Sequence, residues 1–134
     1  MSIELSHLTQ IPGAGRGKDL TVPTINFAVP EELTGTLFGV YAGILVVNGT
    51  SYASAIHYGP IPTFADMEPR LEANLIDEFG IAFSPETLFD VTLIEKIRDI
   101  QKFENPALLK KQIENDIFTI RQILTSPEAG ASIL

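Results

Sequence analysis

Cysteine is absent from the 134 residues, which excludes disulfides, thiolate metal sites and cysteine nucleophiles and fits a reducing compartment. Basic side chains are scarce: nine lysines and arginines stand against 17 aspartates and glutamates, a formal charge of -8. Long nucleic acid is a poor match for that balance, because its backbone demands clustered positive charge. A small anion is a different matter. One nest of N–H groups with a lysine or arginine holds a phosphate inside an acidic protein, and a divalent cation eases the charge further. No apolar run approaches the ~20 residues that cross a bilayer, and the opening MSIELSHLTQ has neither the basic flank nor the apolar segment of a signal peptide. The expectation is a soluble, cytoplasmic single domain over 1–134, with 126–134 a flexible tail and neither nucleic acid nor membrane as partner.

Ten glycines and nine prolines lie mainly in the first two thirds and separate short apolar runs, the pattern of an all-β domain. Val40 to Val47 reads as a strand, Asn48-Gly49 as a hairpin turn and Ser51 to Ile56 as the returning strand. The first of these runs is apolar on both faces, so one face should meet the core and the other a helix, loop or ligand. Leu71 to Ile76 alternates, with Leu71, Ala73 and Leu75 on one face and Glu72, Asn74 and Ile76 on the other; Thr87 to Ile97 is a further strand. After Phe103 the period changes. Leu109, Ile113, Ile117, Ile120 and Leu124 form one helical stripe, with Asn105 placed to cap it and Pro106 at its first position. Strands followed by one amphipathic helix predict a small barrel whose open edge or end that helix closes as a lid.

Three features have chemical potential. Gly13, Gly15 and Gly17 flank Arg16 in GAGRGKDLTVPTIN; such glycines let a backbone approach a ligand closely, or serve a plain surface turn. The order lacks the Gly-Lys-Ser/Thr ending of a P-loop. Thr24 and Asn26, two apart on an extended segment, share a face, so a hydroxyl and an amide oxygen can address one magnesium ion or phosphate, or can cap a turn. Glu72 is a carboxylate on a strand, suited to orient a hydroxyl nucleophile or accept its proton, and equally compatible with a solvated face.

Taken together, GAGRGKDLTVPTIN, GVYAGILVVNGTSYASAIHYGPIPTF, LEANLIDEFG and IRDIQKFENPALLKKQIENDIFTIRQIL resemble, in order, the riboflavin kinase (flavokinase) family, including the kinase module of bifunctional bacterial FAD synthetases. The resemblance implies a six-stranded antiparallel Greek-key barrel with a C-terminal helix, and transfer of the γ-phosphate of Mg-ATP to the ribityl 5′-hydroxyl of riboflavin. It places Gly15, Arg16 and Gly17, with neighbouring Gly13 and Lys18, in the nucleotide-binding loop. Thr24 and Asn26 fall on residues that meet magnesium and ATP phosphates, Glu72 on the catalytic base, and Arg98 at the start of a mobile flavin-side loop. Tyr58, Phe64 and residues around Phe103 are expected in the flavin slot.

The departures are Thr21 for a glycine, Ile25 for the alanine of Pro-Thr-Ala-Asn, His57 near an asparagine position, Ile100 for a frequent glutamate, and IAFSPETLFDV without Leu-Tyr-Gly. Ile25 should point away from Thr24 and Asn26. No adenylyltransferase pattern precedes these segments, so FMN is the expected product if the 134 residues are the whole chain. The alternatives are a diverged, non-catalytic flavin- or nucleotide-binding barrel and a small protein-interaction barrel.

Overall fold

The N-terminal segment determines the shape of the sheet. It forms β1 (Ile3–Leu8) and β2 (Gln10–Ile11), followed by β3 (Thr24–Phe27), β4 (Gly39–Val47), β5 (Thr50–Ile61), β6 (Asp66–Leu75), β7 (Phe89–Arg98) and one long helix, α1 (Pro106–Leu124). The computed structural model describes residues 2–12, 24–76 and 82–125. Gly13, Gly15, Arg16, Gly17, Lys18, Thr21 and the tail 126–134 lie outside the described residues.

The described strands make one antiparallel sheet in the order β1-β7-β4-β5-β6-β3-β2. Seven strands stand where six were expected, because the first is broken at Thr9: β1 pairs with β7 and β2 with β3. A bulge between Leu5 and Leu8 bends β1 just before the break, with His7 at φ 58° and its N–H donating to Asp90 Oδ1 at 3.0 Å. Both edges of the sheet are thus consecutive pieces of one segment, which requires strong curling. No ladder joins β1 to β2 among the described residues, and the architecture is an all-β half-barrel with one C-terminal helix.

The β4–β5 turn places Asn48 at φ 51° and Gly49 at φ 76°, the left-handed pair that matches strand twist in a two-residue hairpin. On β4 the two apolar faces separate as expected. Tyr41, Leu45 and Val47 enter the concave core with Ile25, Phe27, Ile56, Leu71, Ala73, Leu75 and Phe89, while Val40 and Ala42 join Ala55, Ile76 and Ile120 in a second cluster on the other face. The helix therefore lies against the outer face of the sheet, touching β4, β5 and β7. This corrects the picture of a lid over the barrel's edge or end: apolar Val40, Ala42 and Ala55 require cover where they stand.

Asn105 caps α1 by accepting from the Leu108 N–H at 3.0 Å, and Pro106 opens the first turn. Within the stripe Ile113 and Ile120 are buried, joined by a residue outside it, Asp116. Among the described residues no helix is long and apolar enough to cross a membrane.

The close passage of β5 and β7 beside β4 depends on Gly43, where an added Cβ would stand 2.5 Å from Ile56 Cγ1 and 2.6 Å from the Thr92 carbonyl. Gly43→Ala is expected to cost about 1–3 kcal/mol by overpacking, read as a lower urea midpoint with an unchanged slope.

Candidate functional site

The ladder between β3 and β6 pairs Thr24 with Asn74, Ile25 with Ala73, Asn26 with Glu72 and Phe27 with Leu71. Directly opposed residues share a face. Ile25, Phe27, Leu71 and Ala73 are buried in the concave core, so Thr24, Asn26, Glu72 and Asn74 stand together on the outer face, each partly exposed. Thr24 Oγ1 donates to Asn74 Oδ1 at 2.8 Å. Ile25 points to the opposite face, as its position in the strand requires.

On its other side Glu72 is paired with His57 of β5, which is itself opposite Val40, and Val40 is opposite Arg98 of β7. One transverse row thus runs from Asn26 and Glu72, through His57, to the point where Arg98 meets the helix. Arg98 Nε and Nη2 donate to Asp116 at 2.8–3.0 Å, Gln112 Nε2 adds a bond to Asp116 Oδ1 at 3.0 Å, and the guanidinium lies over the Phe103 ring at 5.9 Å. The start of the 99–105 segment is tied to the helix by this charge-assisted fork. Near the segment's other end, the Phe103 N–H donates at 2.9 Å to Thr63 Oγ1, in the short 3-10 turn Pro62–Phe64 between β5 and β6.

His57 Nε2 lies 3.0 Å from both the Gly59 and the Pro60 carbonyls, so that nitrogen carries a proton and donates. Burial lowers the imidazole pKa, Arg98 lowers it further, and the two carbonyls and Asp116 oppose the shift without reversing it. A neutral imidazole beside Glu72 is the result.

Next to this polar face, a cleft of about 510 Å³ has an apolar wall that includes Ile11, Val29, Phe38, Tyr58, Pro69 and Leu71, and its lining reaches Asn26. Phe38 and Tyr58 meet edge to face with centroids 5.1 Å apart. The volume suits a small organic ligand. Tyr58 belongs to the cleft; Phe103 sits under Arg98 and is not among the residues that line it.

No group of three or more histidines, aspartates and glutamates is placed to hold a metal ion among the described residues. Thr24, Asn26 and Glu72 present a hydroxyl, an amide and a carboxylate on one face of the sheet, oxygen types that suit a hard cation keeping most of its shell from water and phosphate. The glycine-loop residues Gly13, Gly15, Arg16, Gly17 and Lys18 lie outside the described residues. Asn74 and Asp116 were missed by sequence reasoning. For Asn74 a signal existed, since the alternation of β6 sets it on the face of Glu72; a single aspartate beside an apolar helix stripe carries no pointer to its arginine.

A family model, Flavokinase: Riboflavin kinase, matches residues 7–124. The chain is 33% identical over 112 residues to the bifunctional riboflavin kinase/FMN adenylyltransferase of Bacillus subtilis (strain 168), covering 79% of this chain and 34% of that protein. It is 29% identical over 110 residues to the RNA-binding riboflavin kinase RibR of the same organism, covering 81% and 46%. The chain therefore spans about a third to a half of the length of these relatives. Among solved structures, the riboflavin kinase of Trypanosoma brucei matches with TM-score 0.64 at 19% identity, over 96% of this chain and 82% of that one. A macrolide-efflux protein from Streptococcus pneumoniae matches with TM-score 0.68 at 24% identity, over 87% and 38%. At these identities the two structures speak to the fold alone.

Two measurements check the electrostatics of the row. Because His57 has a lower pKa folded than its ordinary 6.5, the unfolded chain binds the proton more readily, and the contribution His57 makes to stability at neutral pH is lost as pH falls below 6.5 and through the folded value. His57→Gln should show a smaller loss of urea stability between about pH 7.5 and 5.5 than the native protein. Asp116→Ala, which strands the Arg98 guanidinium, should cost about 3–5 kcal/mol in the same assay.

Proposed function

Because this chain belongs to the riboflavin kinase family, we propose that it transfers the γ-phosphate of Mg-ATP to the ribityl 5′-hydroxyl of riboflavin, giving FMN and ADP. The observation that carries the reading is the in-register block on β3 and β6, where Asn26 opposes Glu72 and Thr24 opposes Asn74. It concentrates oxygen ligands and a carboxylate on one rigid face, as transfer to a hydroxyl requires.

Thr24 Oγ1 and Asn26 Oδ1 are the protein atoms that would hold magnesium, with Glu72 directly opposite Asn26. When bound, the ion neutralises charge on the phosphates and holds them in line. Glu72 orients the 5′-hydroxyl and takes its proton as the new oxygen–phosphorus bond forms and the bond to ADP breaks. Two strands flank Glu72, which limits its drift and favours attack from a fixed distance. Gly13, Gly15, Arg16, Gly17 and Lys18 enter as the phosphate-binding loop on the strength of their sequence, since they lead directly into β3. The apolar cleft beside Asn26 accepts a planar ring of one substrate, with Phe38 and Tyr58 as its aromatic wall. Arg98 enters on the flavin side as the anchor of the 99–105 segment, through its bonds to Asp116.

The test is formation of FMN and ADP from riboflavin and Mg-ATP. Turnover by the native protein, with Glu72→Gln lowering kcat by about 10²- to 10⁴-fold while riboflavin still binds, is the expected result. Riboflavin or nucleotide binding without any turnover by the native protein would identify a non-catalytic barrel, and binding of neither would leave a protein-interaction barrel.

A further inference from the structure

Resting on the kinase reading, one contact in the block points to a residue with a task of its own. A threonine hydroxyl has one proton and two lone pairs. To serve a cation it must turn a lone pair outward, which requires a fixed acceptor for its proton. Thr24 has such an acceptor: its Oγ1 donates to Asn74 Oδ1 at 2.8 Å, across a directly opposed pair of β3 and β6. Both residues are partly buried on a sheet surface backed by Ile25 and Ala73. The ladder therefore sets the distance, and the amide sets the direction of the hydroxyl.

We propose that Asn74 is a positioning residue for phosphoryl transfer, whose Oδ1 takes up the Thr24 proton so that the Thr24 oxygen presents a lone pair to the nucleotide-bound divalent cation. It acts through Thr24 and need not touch the nucleotide. The chemistry discriminates among substitutions. Aspartate at this position retains an acceptor and preserves the polarity of the bond. Leucine, similar in size, leaves the hydroxyl proton without its partner and lets it turn toward the cation, where it opposes ligation.

ADP binding measured by titration calorimetry, with MgCl2 and with EDTA, reads this directly and needs no turnover. The quantity is the factor by which magnesium strengthens ADP binding. Asn74→Leu should reduce that factor by about tenfold or more, the usual scale for removing the partner of a metal-side ligand. Binding in EDTA and the melting temperature should stay near native, and Asn74→Asp should keep the magnesium factor. Thr24→Val should lose it, and the Thr24→Val/Asn74→Leu double variant should lose no more than Thr24→Val alone, the coupling expected when one residue acts through the other.

Equal losses with and without magnesium, additive effects in the double variant, or an Asn74→Asp protein as impaired as Asn74→Leu would overturn the role of Asn74 while leaving the kinase reading in place. A native protein whose ADP binding is indifferent to magnesium would overturn the inference and remove the metal-side role of Thr24. Whether the native protein makes FMN is decided separately by the turnover assay, so the two failures are distinguishable.

Discussion

The register between β3 and β6 is the constraint on which the rest of the molecule depends. Ile25, Phe27, Leu71 and Ala73 must all enter the core, and in doing so they place Thr24, Asn26, Glu72 and Asn74 together on the opposite surface. A slip of β3 by one residue would turn Ile25 and Phe27 outward and carry Thr24 and Asn26 into the concave core, away from Glu72 and Asn74. Hydrophobic burial thus enforces an alignment of oxygen atoms that their own weak contacts could not maintain. Phe27 strengthens it by packing edge to face on Phe89, with ring centroids 5.3 Å apart, so that the far wall of the half-barrel also resists the slip.

The outer face is divided between an apolar part and a polar one. Over β4 and the adjoining part of β5 it is apolar and covered by α1; along Thr24, Asn26, Glu72 and Asn74 of β3 and β6 it becomes polar and partly exposed. His57 and the Arg98–Asp116 pair mark the seam. The helix end of the row is secured by a charge-assisted fork, and the imidazole between it and Glu72 is held neutral by burial. Arg98 consequently reads as an anchor of the 99–105 segment: Asp116 and the Asp99 carbonyl already engage its guanidinium. Any ligand contact by Arg98 would be made by a group whose direction the helix already sets.

Much of this was legible in the sequence, for specific reasons. Asn48-Gly49 announced its turn because both residues need positive φ, and the helix could be placed because Asn105, Pro106 and a clean stripe agree. The double-sided apolar pattern of Val40 to Val47 pointed to cover on both faces, and the outer face is covered at Val40 and Ala42 while Val46 stays exposed. What could not be read was which cover goes where: the helix lies on the outer face because Ala42 and Ala55 leave room for it, a fact of pairing between strands. The break at Thr9 was hidden for the same reason, since two short pieces of one segment find partners at opposite ends of the sheet order. Thr24, Asn26 and Glu72 were singled out from spacing and family resemblance, and that they share one face of the sheet follows from the register. Asp116 became visible only through its partner Arg98, whereas Asn74 already stood on the face of Glu72 in the alternation of β6 and drew attention through its bond to Thr24.

The most direct test of the central claim, that the outer face of β3 and β6 is where phosphoryl transfer takes place, is to map ligand-induced amide shifts in the isotopically labelled protein as Mg-ADP and riboflavin are added in turn. The account predicts that Mg-ADP moves the amides of residues 24–27 and 71–75 most strongly, with riboflavin extending the change across the same face. Shifts concentrated instead at the β1–β7 edge or on the exposed side of the helix, with β3 and β6 unmoved, would contradict it.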